Sequence, residues 1–232
     1  MQMTPVFEAS FAKLARARKF IDELKVALDG FISKKPFKAF FIARPDGPSI
    51  RIEWDGIGLE PGAIVGDCVH NLRTALDLMA SELARINGES DAGVYFPFAD
   101  TEFGVMEMVG RKKFDRCGDD AVRLLVGFAP FKGGDEMLRG LHDLDIQDKH
   151  RALILTHRTW EWRATGEVVV PEAGEVEVAA EIDTFNHVFH FPPDGPLATR
   201  PLIETLEELV QLVHRIIEAF ARLVEMRAAG GT

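Results

Sequence analysis

Two short runs carry more chemistry than the residues around them: GDCVHNLRTALD at 66–77 and LDIQDKHR at 144–151. Both have helical spacing, and both hold His, Arg and Asp where a core helix would hold Leu and Glu. In the first, Asp67, His70, Arg73 and Asp77 recur at spacings that bring side chains on adjacent turns of one helix side together. Val65, Cys68, Leu72, Ala75, Met79, Leu83 and Ile86 form the opposite, buried side. The polar side reads either as a solvated ladder of ion pairs or, under a further layer of protein, as a site. Histidine favours the site, because a solubilising face is ordinarily Lys and Glu, and imidazole is the group that exchanges protons near neutral pH.

In the second run, Asp148 falls within an apolar stripe of Met137, Leu141, Leu144, Ala152 and Leu155. A carboxylate buried without partners is costly or takes up a proton, so Asp148 calls for a cation or several donors. Arg73, His70 and Arg151 are the candidates, and Arg151 can pair locally from one turn away. One reading is a structural Asp–Arg pair; the other is a tuned acid or base in a cleft between the two helices. His150 points to the other side with Ile146, Leu153 and His157. The two histidines are ~10 Å apart along a helix axis, too far to share a metal. Asp67-x-x-His70 has the carboxylate–histidine spacing of helical-bundle metal sites but occurs once, and His142, Asp145 and Asp148 step round their helix at spacing three. These patterns assign no metal ligands and name no cofactor. GxSxG, P-loop and HExxH motifs are missing from the sequence.

The elements that must position these residues follow from periodicity. Phe7, Phe11, Leu14, Ile21, Leu24 and Leu28 predict a first helix over about 4–30, with Thr4 as cap and Gly30 as stop. FKAFFIA and SIRIEWD flank a turn and predict a hairpin over 37–55. Helix two is expected over 61–87 and helix three over 135–157. Residues 159–191 read as strands, and a final helix over 201–228 carries Leu202, Leu206, Leu209, Val213, Ile216, Phe220 and Leu223 in a near-heptad stripe. The expectation is a single α+β domain: four main helices packed with a mostly antiparallel β-sheet or hairpins.

Composition bounds the function. The 232 residues are 47% hydrophobic and 28% charged, with a formal net charge of −10. This balance argues against a general nucleic-acid or anionic-membrane binder, which needs a cationic face. Two cysteines, Cys68 and Cys117, without CxxC or zinc spacing fit a reduced, cytoplasmic protein. The N-terminus lacks the apolar stretch of a signal peptide, and no run is long enough to span a bilayer.

The run GDCVHNLRTALDLMASELA, then YFPF, then LHDLDIQDKHR resembles a bacterial family of uncharacterised proteins with GD-x-x-HNLR-x-ALD-x-L, FP and DKHR motifs. The resemblance covers residues 66–151 and marks His70, Asn71, Arg73, Asp77, Asp148, Lys149, His150 and Arg151. Leu78 stands where relatives are expected to carry a second His. RALILTH, Arg151 to His157, is also similar in spacing to the Arg-x(4–6)-His signature of HEPN-type helical ribonucleases, although its filling is apolar. That resemblance implies an Arg stabilising phosphorane-like charge and a His handling the 2′-hydroxyl proton.

These observations converge on a cleft in which Arg73, with Asn71, Asp77 and Arg151, binds an anionic small molecule, while His70 or His150 moves a proton and Asp148 tunes it, chemistry of the kind used in hydrolysis. The rival expectation is a non-enzymatic module: the motifs are ion-pair networks, and the stripe of the last helix joins two copies into a homo-oligomer.

Overall fold

The computed structural model describes residues 6–34, 37–42, 49–54, 56–150 and 188–230, and short strands at Thr156–Thr159, Ala164–Thr165, Glu175–Glu177 and Glu181–Ile182. Side chains are described chiefly for 6–34, 56–148 and 188–230. Among these residues the chain forms six α-helices: α1 (Glu8–Ser33), α2 (Glu60–Ile86), α3 (Gly104–Arg111), α4 (Asp119–Gly127), α5 (Glu136–His150) and α6 (Leu202–Gly230). A 3₁₀ turn, Phe114–Cys117, joins α3 to α4.

The helix α2 is the centre of the molecule, in contact with α1, α5 and α6. It is apolar over most of its circumference, and Val65, Cys68, Leu72, Ala75, Leu76, Met79 and Leu83 are fully buried. Each such Leu or Met contributes about 1.5–3 kcal/mol of burial, which makes α2 the main source of cohesion. Pro61 opens it in the first turn, where the missing N–H costs nothing. Gly88, at φ 79°, ends it in the left-handed conformation that glycine adopts without strain.

The α+β expectation is overturned. The chain is mainly helical, and among the described residues Phe189 is the one core residue supplied by a strand. The strands are short: β1 (Phe37–Ile42) pairs antiparallel with β2 (Ser49–Trp54), and Thr156–Thr159 pairs with Val188–His190. No sheet packs as a layer onto the helices among the described residues. The alternation that predicts strands over 159–191 speaks to local backbone preference; the volume of the core is filled by long helices whose stripes face one another.

Three further expectations change. Helix one begins at Glu8, after Phe7, whose φ is 64°, whose side chain is fully buried and whose N–H donates to Glu82 Oε1 at 3.2 Å; it runs past Gly30 to Ser33. Thr4 lies outside the described residues. Helix three is described over Glu136–His150, and His157 lies on the strand Thr156–Thr159, so Arg151 and His157 do not share one described helix. The stripe of the last helix is covered within a single chain. Leu202, Leu206, Leu209, Val213, Ile216, Phe220 and Leu223 are all buried against neighbouring helices, which removes that face as a joint between two copies. The far end of α6 is tied back by Arg227, which donates to the carbonyl of Cys117 at 2.7 Å and, through Nε, to Asp120 at 2.9 Å. This pairing holds the Asp120 carboxyl down at about 2. Among the described residues no helix is long and apolar enough to cross a membrane.

Candidate functional site

The two polar runs meet where α2 crosses α5. His70 Nδ1 lies 3.0 Å from Asp145 Oδ1. The Asp145 side chain is 5% exposed and that of His70 53% exposed. A buried carboxylate therefore holds one nitrogen of an open imidazole, and the other nitrogen, Nε2, faces the Thr74 hydroxyl at 3.5 Å. One turn earlier on α2, Gly66 accommodates Asp148: a methyl group added at Gly66 would overlap the carboxyl carbon and both carboxyl oxygens. Gly66 is thus the notch through which α5 approaches α2.

The remainder of the α2 motif faces a covering segment, residues 94–99. Arg73 is 8% exposed. Its Nη1 donates to Asp77 Oδ1 at 2.5 Å and its Nη2 to the carbonyl of Phe96 at 3.0 Å. Asp77 Oδ1 in turn accepts from the N–H of Phe96 at 2.9 Å. Both backbone polar groups of Phe96 are satisfied by one Arg–Asp pair, and the guanidinium also lies 4.7 Å from the centre of the Phe98 ring. The segment continues to Ala99, whose carbonyl accepts from Arg139 Nη1 on α5 at 2.6 Å. Arg139 also pairs with Asp143 and Asp100.

His142 stacks on Phe98 with ring centres 4.4 Å apart and planes within 3°. Its Nδ1 is buried and has no hydrogen-bond partner among the described residues. Burial first, and then the nearby Arg73 and Arg139 charges, push its pKa down to about 4, so it is neutral at neutral pH. Burial alone pushes the Cys68 thiol up to about 12.

The expected site residues are therefore placed as follows. His70 stands at the helix crossing and is open to solvent. Arg73 and Asp77 are bonded to each other and to Phe96. Asn71 is turned back on its own helix, with Nδ2 donating to the carbonyl of Asp67 at 2.8 Å. Asp148 is half-buried against Gly66 and is not the partner found for His70. Arg151 and the side chains of Lys149 and His150 lie outside the described residues. Among the described residues no three His, Cys, Asp or Glu groups gather closely enough to hold a metal ion. A cavity of about 270 Å³ between the start of α5 and α6, lined by Asp135, Met137, Glu208 and Arg215 among others, is separate from the helix crossing.

Asp145 and Thr74 are the residues that the motifs did not single out for this role. The signal for Asp145 was present in the phase of α5. Among its described side chains Leu138, Gly140, Leu141, Leu144 and Asp145 are buried, so Leu138 rather than Met137 marks the stripe, and Asp145 lies within it. Compared with protein-family models, curated proteins and solved structures, the chain has no match.

Proposed function

We propose that the crossing of α2 and α5 is an acid–base site for an anionic small molecule, with His70 as the group that takes up and returns a proton and Asp145 as its positioning partner. The observation that supports this reading is the 3.0 Å contact between the buried Asp145 carboxylate and Nδ1 of a half-exposed imidazole. A carboxylate on Nδ1 fixes the tautomer that carries its proton there and leaves Nε2 as the acceptor. A histidine so oriented activates water or a hydroxyl for attack, the chemistry of hydrolysis. Arg151 follows α5 directly in sequence and is the cation assigned to the ligand, since the Arg73 guanidinium is committed to Asp77 and Phe96. Kinship with the uncharacterised bacterial family whose motifs the chain resembles is part of this reading. Two buried free thiols support a reducing, cytoplasmic setting.

The test is turnover of p-nitrophenyl acetate and p-nitrophenyl phosphate by the wild type, His70→Ala and Asp145→Asn. Hydrolysis of either probe above a free-imidazole control should fall by roughly 10²-fold or more in His70→Ala. Asp145→Asn should lower kcat and alter its pH profile while KM holds. Turnover no faster than imidazole, or unchanged in His70→Ala, would reject the reading.

A second reading, a non-enzymatic module in which the motifs are ion-pair structure, is favoured by the saturated Arg73–Asp77–Phe96 bonding. It predicts that His70→Ala alters no activity and that Asp77→Ala lowers stability.

A further inference from the structure

The geometry points to Thr74 as a nucleophile in a Thr74–His70–Asp145 relay for the cleavage of a small carboxylic ester. This assignment rests on the acid–base reading of His70. Thr74 stands one helical turn after His70, so the two side chains share a face of α2. Its Oγ1 lies 3.5 Å from His70 Nε2, while His70 Nδ1 lies 3.0 Å from Asp145 Oδ1. Hydroxyl, base and orienting carboxylate are thus in the order required to activate a weak nucleophile, with the first contact looser than in a loaded site.

Two observations separate this arrangement from an ordinary helical threonine. Such a hydroxyl commonly bonds back to the carbonyl one turn earlier, yet among the described residues the Thr74 hydroxyl has the His70 ring as its hydrogen-bond partner. The pair is also open. Thr74 is half-buried and the His70 side chain is 53% exposed, so a substrate can reach both from solvent. Asp145, buried on the far side, supplies the one feature that solvent would weaken.

The chemistry balances without any further reagent. Thr74 Oγ1 attacks the ester carbonyl carbon as its proton passes to His70 Nε2. The bond from that carbon to the leaving oxygen breaks, and the alcohol or phenol departs with the proton from Nε2. Water then gives a proton to Nε2 and attacks the acyl-threonine. The C–Oγ1 bond breaks, Thr74 recovers its proton, and a carboxylic acid is released.

The experiment is an acid-quenched pulse of p-nitrophenyl acetate on the full chain, followed by peptide mapping by mass spectrometry. Wild type, Thr74→Ser, Thr74→Val and His70→Ala are compared, each checked for an unchanged melting temperature. The expected result is an acetyl group on residue 74 in the wild type and Thr74→Ser. It should be absent in Thr74→Val and form roughly tenfold or more slowly in His70→Ala. An adduct elsewhere, or no adduct, overturns the assignment. If Thr74→Val turns over undiminished while His70→Ala does not, the nucleophile is refuted and the acid–base role of His70 stands. If both variants match the wild type, both readings fall.

Discussion

The carboxyl group of Asp148 occupies the space in which a side chain at Gly66 would stand. Glycine in mid-helix ordinarily costs about 1 kcal/mol relative to alanine, and here that cost permits close approach of α5 to α2. The same approach brings Asp145 to His70, so the notch at Gly66 sets the geometry of the site one turn away.

Gly66→Ala should therefore destabilise the protein despite the better helix propensity of alanine. The expected net loss is about 1–3 kcal/mol from overpacking against Asp148, read by urea denaturation. Gly66→Ala combined with Asp148→Ala should recover part of it. A neutral or stabilising Gly66→Ala would show that α5 does not press on α2 at this point.

Asp77→Ala should be more damaging than Arg73→Met. The first leaves a guanidinium that is 8% exposed without its carboxylate and the Phe96 N–H without its acceptor. Stranding one member of a buried pair costs about 3 kcal/mol; Arg73→Met strands Asp77 instead, but that carboxylate is 25% exposed, reaches water and keeps the Phe96 N–H, so the loss is smaller. Equal losses in denaturation would mean that the charge pairing is incidental to the packing of residues 94–99.

His142 gives stability a defined pH dependence. Its folded pKa is depressed to about 4 from an ordinary 6.5, so the unfolded chain binds the proton first as pH falls. Stability is therefore full above about pH 6.5, declines between 6.5 and 4, and levels once both states are protonated, a loss on the order of 3 kcal/mol. Replacing His142 with Phe retains an aromatic ring against Phe98 and should remove this part of the pH profile. A wild-type profile flat from pH 6.5 to 4, or a His142 imidazole resonance titrating near 6.5, would contradict it.

Much of the helical frame was legible in the residues themselves. Pro61 and Gly88 mark the ends of α2, and its apolar face is the one that periodicity selects. The candidate site was legible in location and less so in detail. Both motifs lie at one crossing, yet the stripe of α5 can be drawn through Met137 or through Leu138. That single step decides whether Asp148 or Asp145 is the buried acid. Helix wheels also cannot show that Arg73 and Asp77 face the backbone of Phe96, because Phe96 comes from a segment with no periodicity of its own. The stripe of α6 was read correctly as apolar, but a stripe does not state whether its cover comes from the same chain or from another.

Residues 94–99 have one more consequence. They are fastened to α2 at Phe96 and to α5 at Ala99, through two separate arginines. A crossbar fixed at both ends resists the sliding of two beams past one another. The register that brings Asp145 to His70 is therefore held partly from outside the crossing, by a segment that carries none of the reacting groups.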